Sequence, residues 1–330
     1  MRIVIPDDYQ DCVRHLDCFG RLAGHQVVIH HDTVTGTEAL AERFADADAI
    51  VLTRERTRID AALLSRLPRL RMISQTGKLA GHVDLEACTA HGVVVAEGSG
   101  AGSATAELAW TLALASRRHL VDEVAALRAG GWQRHLGQQM GGQRLGVWSY
   151  GRIGRQVAAY GRVFGMRVWV WGRAASTAAA LADGFEVAPS REAFFEQSDV
   201  VSLHVRLNAE TTGLVGAADL ARMKPTALLV NTSRAELIAH GALEQALVRG
   251  RPGFAAVDVY EQEPVPAQGH PLLQLPNALC TPHIGYVEKD NYERYFGIAF
   301  DNIDRFAAGS LTDVANPAAL PRSGSRQATT

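Results

Sequence analysis

The chain is short of three things, and each shortage removes a class of protein. Its four cysteines, Cys12, Cys18, Cys88 and Cys280, form no C-x-x-C pair and no zinc spacing. A disulfide scaffold and a thiolate metal centre are thereby excluded, no metal is expected, and the thiols read as reduced and mostly buried. No apolar run approaches membrane-spanning length, and the start MRIVIPDDYQ lacks the charged, apolar and small-residue regions of a secretory leader. The expectation is a cytoplasmic protein with no membrane partner. There is no basic stripe or lysine run, and the net charge is only -2. That excludes nucleic acid as a partner.

What remains is an ordinary globular composition, 47% hydrophobic and 21% charged, over 330 residues. That length accommodates two domains, each with its own core. The first hundred residues alternate β-rich runs (2–6, 26–30, 49–53, 70–75, 93–97) with helical patterns (37–44, 60–67). Such alternation predicts an α/β domain, a parallel sheet with helices on both faces. Ligands of such sheets bind beyond the carboxyl ends of strands, which singles out Arg54 and the segment QTGKLAGHVD.

From Thr105 the pattern turns helical. TAELAWTLALASRR is apolar on most sides, so it is expected between domains or in a subunit interface. VDEVAALRAGGW reads as a second helix ending at Gly130 and Gly131. Residues 145–173, LGVWSYGRIGRQVAAYGRVFGMRVWVWGR, then read as strand, tight turn, helix and strand. Gly151 and Gly154 bracket the turn. Backbone N–H groups at a helix N-terminus can hold a pyrophosphate there, and a missing Cβ lets the backbone approach it. Ser149 stands where the first glycine of a dinucleotide fingerprint belongs, which a negative φ would permit. About 20 residues on, where an NAD site carries an acidic residue for the ribose, the chain has Gly172 and Arg173. An arginine there suits a 2′-phosphate, so NAD or NADP is the expected cofactor.

Beyond this unit, residues 199–204, 226–231, 254–259 and 278–281 read as four more strands, completing a six-stranded sheet. REAFFEQ and AELIAHGALEQALVRG read as helices between them. Residues 287–308 form one long helix, which is expected to return to the first domain. The polar tail from residue 319 to 330 is expected to be disordered. Three strand ends of the second sheet carry Arg234, then Asp258 with Glu263, then His283. Moving hydride onto a carbonyl builds negative charge on oxygen, so a cation and a positioned acid are what the transition state requires.

The segments QTGKLAGHVD, ATAEL, GRIG, SLHVRL, NTSRAEL, AAVDVYEQEP and TPHIG occur in the order typical of the D-isomer-specific 2-hydroxyacid dehydrogenases, which the chain resembles over nearly its whole length. The resemblance implies two doubly wound parallel-sheet domains. A Rossmann cofactor domain, residues 104–287, would be inserted in a flavodoxin-like substrate domain of residues 1–103 and 288–318. It also implies a homodimer built on the cofactor domains. Arg234 would bind the carboxylate of a small 2-oxo or 2-hydroxy acid, His283 would act as acid and base, and Glu263 would orient the His283 ring and favour its charged form. Gly77 and Lys78 would join Arg54 on the substrate. Ser149, Gly151, Arg152, Ile153, Gly154, Gly172 and Arg173 would line the diphosphate and adenosine ribose. His204 and Val205 would border the adenosine, and Thr232, Ser233, Asp258 and Gly285 the nicotinamide side. Two departures stand out: Arg206 replaces a common proline, and Glu236 adds negative charge near the substrate where the family prefers glycine. A second reading of the same fold is a dinucleotide-sensing, corepressor-like binding protein.

Overall fold

Five tetrapeptides rich in β-branched residues build the first sheet: β1 Arg2–Ile5, β2 Gln26–Ile29, β3 Ala49–Leu52, β4 Met72–Gln75 and β5 Val94–Glu97. Their order is β2-β1-β3-β4-β5 and every pairing is parallel. This is the flavodoxin-like order. β3 and β4 are buried at every position, as expected of strands covered on both faces. The computed structural model describes residues 1–100, 102–266 and 269–320. Two compact units result, Met1–Ala101 with Lys289–Thr330, and Gly102–Glu288.

Helix Lys289–Ala307 belongs to the first unit and buries Phe296, Phe300 and Ile303. Polar contacts fix its register: Ser74 Oγ donates to the Ala299 carbonyl at 3.0 Å, and Glu293 accepts from the Asp17 and Cys18 amides at 2.6 and 3.0 Å. Asn316 then closes the edge of β5, accepting from Val95 N at 2.8 Å and donating to Val93 O at 2.9 Å. A short 3-10 turn, Pro317–Ala319, follows, and residues 321–330 of the polar tail lie outside the described residues.

The second sheet has seven strands rather than the expected six. β6 Arg144–Trp148, β7 Arg167–Trp171, β8 Glu186–Val187, β9 Val200–Leu203, β10 Leu228–Asn231, β11 Phe254–Val257 and β12 Ala278–Cys280 lie in the order β12-β11-β10-β9-β6-β7-β8. All pairs are parallel, and the order reverses between β6 and β9, the switch point of a doubly wound nucleotide-binding sheet. The added strand, β8, is two residues long, too short to carry a periodic signal.

Two other expectations change. Residues 235–250 do not form one helix: a 3-10 turn Ala235–Leu237 and a helix Ala242–Val248 flank an extended Ile238, which bridges to Val215. The Ala239 amide bonds the Val215 carbonyl at 2.9 Å, and that pairing outcompetes helix continuation. Helix Ser103–Arg117 finds its burial inside its own unit, where Ala106, Ala109, Leu112 and Ala113 share a core with Val157, Ala158, Leu228 and Ala256. Exposed apolar side chains sit instead on the next helix, Leu120–Arg128, and just after it, with Trp132 75% and Leu136 95% exposed. Among the described residues, no helix is long and apolar enough to cross a membrane.

Candidate active site

The turn after β6 is built for close backbone approach. A Cβ on Gly154 would lie 2.1 Å from the Ser149 carbonyl oxygen, so only glycine fits. Gly151, the N-cap of helix Arg152–Val163, faces open space instead, with nothing within 4 Å of a built Cβ. No side chain caps this helix and no acidic residue lies in its first turn. Its leading N–H groups and the positive end of its dipole are left without an acidic or capping side chain beside the open space at Gly151, an arrangement suited to an anion such as a dinucleotide's diphosphate. Ser149 corrects the expectation of a negative φ: it is left-handed, at φ 78°, with its amide tied to the Trp171 carbonyl at 2.8 Å. Gly172 and exposed Arg173 follow β7, and Arg173 is the N-cap of helix Ala174–Ala182.

At the end of β12 the backbone is again left-handed, at His283, φ 51°. Such a conformation costs a non-glycine residue about 1–2 kcal/mol and persists only where its surroundings impose it. Here the surroundings are explicit. Asp258, fully buried beyond β11, accepts from Thr281 Oγ1 at 2.6 Å, Ile284 N at 2.8 Å and Gly285 N at 2.8 Å. Burial pushes the Asp258 carboxyl above its usual range, and these donors and the nearby imidazole pull it back. Between the clamped residues, His283 Nδ1 meets Glu263 Oε2 at 2.5 Å, while Glu263 Oε1 accepts from the Tyr260 amide at 2.9 Å. Tyr286 packs edge-on against the imidazole, centroids 5.6 Å apart. The ring is nearly buried, and with Nδ1 engaged, Nε2 is the nitrogen left for proton transfer.

Arg234 follows β10, the strand beside β11, and donates from Nη1 to the Ser233 carbonyl at 2.7 Å. Asn231 shapes this loop: its Oδ1 accepts from Ser233 N at 3.0 Å and its Nδ2 donates to Arg234 O at 2.9 Å. The buried Thr232 hydroxyl has no protein partner. His204, after β9, bonds Ser202 Oγ through Nε2 at 2.9 Å, while its Nδ1 is shut off from solvent without a partner. Burial alone drives the His204 pKa down to about 4. Val205 follows it, half-buried.

In the first unit Arg54 is left-handed as well, φ 56°. Its amide donates to Thr76 Oγ1 at 3.1 Å, and its carbonyl accepts from Gln75 Nε2 at 2.9 Å. Gly77 makes room for its guanidinium, since a Cβ there would lie 2.4 Å from Nη1. The ends of β3 and β4 thus bring Arg54 and Gly77 together. Lys78, largely exposed, pairs with Glu97. Reasoning from sequence missed Tyr260, Thr281 and Asn231, whose work is to hold Glu263, Asp258 and the Arg234 loop. Only Asn231 left a signal, a side chain able to form its own turn at the end of an apolar strand.

The domain model described as "D-isomer specific 2-hydroxyacid dehydrogenase, NAD binding domain" matches residues 110–285. A glyoxylate reductase of Aeropyrum pernix is 36% identical over 284 residues, 83% of this chain and 84% of that protein. An oxidoreductase from Ralstonia solanacearum superposes with a TM-score of 0.95 at 53% identity, covering 97% of this chain and 98% of that one. A phosphoglycerate oxidoreductase from Vibrio cholerae gives a TM-score of 0.91 at 48% identity, over 93% and 99% of the two chains. Fold and likeness together define an oxidoreductase that acts on CH–OH donors with a nicotinamide cofactor. The chain belongs to the D-isomer specific 2-hydroxyacid dehydrogenase family.

Proposed function

We propose that the chain reduces a small, unphosphorylated 2-oxo acid to its D-2-hydroxy acid, with Arg234, Glu263 and His283 as its working groups. The observation that carries this reading is the buried His283–Glu263 contact of 2.5 Å at the carboxyl edge of the sheet. Arg234 pairs with the substrate carboxylate and polarises the neighbouring carbonyl. As charge gathers on the carbonyl oxygen, His283 delivers a proton from Nε2, and Glu263 stabilises and orients the charged ring. The nicotinamide, when bound, supplies the hydride. Ser149 and Gly151 to Gly154 would hold its diphosphate, His204 and Val205 the adenosine side, and Thr232, Ser233, Asp258 and Gly285 the nicotinamide side. Arg54, Gly77 and Lys78, at strand ends of the first unit, are the residues proposed to contact the substrate. Glu236, two residues beyond Arg234, disfavours a phosphorylated acid. NAD(P)H oxidation with glyoxylate, hydroxypyruvate, pyruvate and bulkier 2-oxo acids tests this reading. Silence across the panel from folded protein overturns it in favour of a dinucleotide-sensing binding protein.

Arg173 and the lack of an acid after β7 support use of NADPH alongside NADH. The exposed Leu120, Val121, Val124, Leu127, Trp132 and Leu136 support a homodimer assembled through this unit. Sedimentation equilibrium that finds only monomer at micromolar concentration overturns the dimer.

A further inference from the structure

Away from the strand-end site, the corner between helices Ser103–Arg117 and Leu120–Arg128 gathers His119, Asp122 and His135, with one ligand-capable atom of each within 4.8 Å of the others. His119 is the N-cap of the second helix and Asp122 lies in its first turn, three residues on and on the same face. His135 comes from the extended segment that follows, its ring stacked on that of His119 with centroids 4.8 Å and planes 17° apart. Glu123 fixes the His135 ring from behind: its Oε1 accepts from Nδ1 at 2.9 Å and from the His135 amide at 2.7 Å. That contact leaves the lone pair on Nε2, the arrangement by which an outer carboxylate aims a metal-ligating imidazole. His119 and Asp122 also line a cavity of about 260 Å³, walled in addition by Ser116, Asn277 and Cys280.

We propose that His119, Asp122 and His135 bind a divalent cation of the Zn²⁺ class, with its remaining positions open to water in this cavity. Two imidazoles and one carboxylate favour zinc over magnesium or calcium, which prefer oxygen ligands. With bonds of about 2.1 Å, tetrahedral ligands lie about 3.4 Å apart, so the three side chains must close by up to about 1.4 Å. Asp122 and His135 are exposed and have the rotamer freedom to do so. The other two clusters of this kind among the described residues are occupied by their own hydrogen bonds. The Asp8 carboxylate holds the amides of Cys12 and Val13, and both nitrogens of His270 are engaged, by Leu272 N and Glu261. The bound ion would pin the segment carrying Trp132 and Leu136 to the start of helix Leu120–Arg128.

The test is calorimetric titration of the full chain, stripped with chelator, with ZnCl2, using MgCl2 as the control. One Zn²⁺ per chain is expected, with affinity at least tenfold weaker in His119→Gln and in His135→Gln. Glu123→Gln, which touches only the outer carboxylate, should weaken binding by about 10–100-fold. Hydrogen exchange over residues 131–140 should slow with zinc in the wild type alone, a readout that does not depend on any variant's stability. The absence of saturable zinc binding overturns the proposal. So does an affinity unchanged in both histidine variants, or equal binding of Mg²⁺.

Discussion

Replacing Gly154 by alanine separates a turn closed for packing from a turn closed around a dinucleotide, when it is read beside the same change at Gly151. The Gly154 Cβ would sit 2.1 Å from the Ser149 carbonyl oxygen and 3.2 Å from Val147 Cγ1. A carbon–oxygen contact settles near 3.3–3.6 Å, so the turn must open by roughly 1 Å. The obstacle is backbone rather than a flexible tip, so opening it shifts Ser149 and misaligns the first N–H groups of the helix. Overpacking of this kind costs about 1–3 kcal/mol of stability. Each charge-assisted hydrogen bond lost to a diphosphate costs about 1.5–3 kcal/mol, so cofactor affinity should fall by roughly 10–100-fold. At Gly151 the Cβ meets no protein atom and φ is −85°, open to any residue. Gly151→Ala should therefore leave stability within about 0.5 kcal/mol of wild type while still weakening the cofactor, because the added methyl takes up space the ligand needs. Fluorescence titration with NADH and NADPH, together with urea unfolding, reads both quantities. Unchanged cofactor affinity in both variants would refute the placement of the diphosphate at this turn, whatever happens to stability.

Other predictions follow from the same geometry. Glu263→Gln keeps a partner for His283 Nδ1 but removes the charge, so kcat should fall by about 10²–10⁴-fold with cofactor affinity intact; a loss confined to KM would deny Glu263 its role in proton transfer. Arg173→Ala should lower the ratio of NADPH to NADH efficiency by roughly tenfold, and an unchanged ratio removes Arg173 from specificity. For His204, burial puts the folded pKa, about 4, below that of the unfolded chain, about 6.5. As pH falls, the unfolded chain therefore binds the proton first, and the stabilising contribution, complete above about pH 6.5, drains away toward pH 4. Between pH 7 and 5 this amounts to at most about 2 kcal/mol. Urea unfolding of wild type and His204→Asn at both pH values checks it, since equal losses in the two proteins would contradict the assignment.

Elements whose pattern is long and local were legible before any coordinates. Thr37–Phe44 and Arg191–Gln197 form helices over the residues expected, and eleven of the twelve strands lie within or close to their expected runs, because apolar tetrapeptides between turn residues admit little else. What escaped depends on partners distant in sequence. β8 is too short to announce itself and exists because β7 offers it an edge. Ile238 is drawn out of helix by Val215, 23 positions earlier, a competition no local window contains. In the site, resemblance located Glu263 and His283, but the left-handed backbone at Ser149, Arg54 and His283 could not be read from residue type. Serine and arginine rarely adopt that conformation and histidine does so only occasionally, so the surrounding hydrogen bonds must impose it.

The clamp of Asp258 on Ile284 and Gly285 bears on the thermodynamics of turnover. His283 enters each cycle with its main chain immobilised by a buried carboxylate and its ring steered by Glu263. On the proposed reading, in which His283 gives the proton, that ordering is completed once, when the protein folds, and is not repeated with each substrate. The chemical step should accordingly show a small activation entropy. Loosening the clamp, as in Asp258→Asn, should make that entropy more negative.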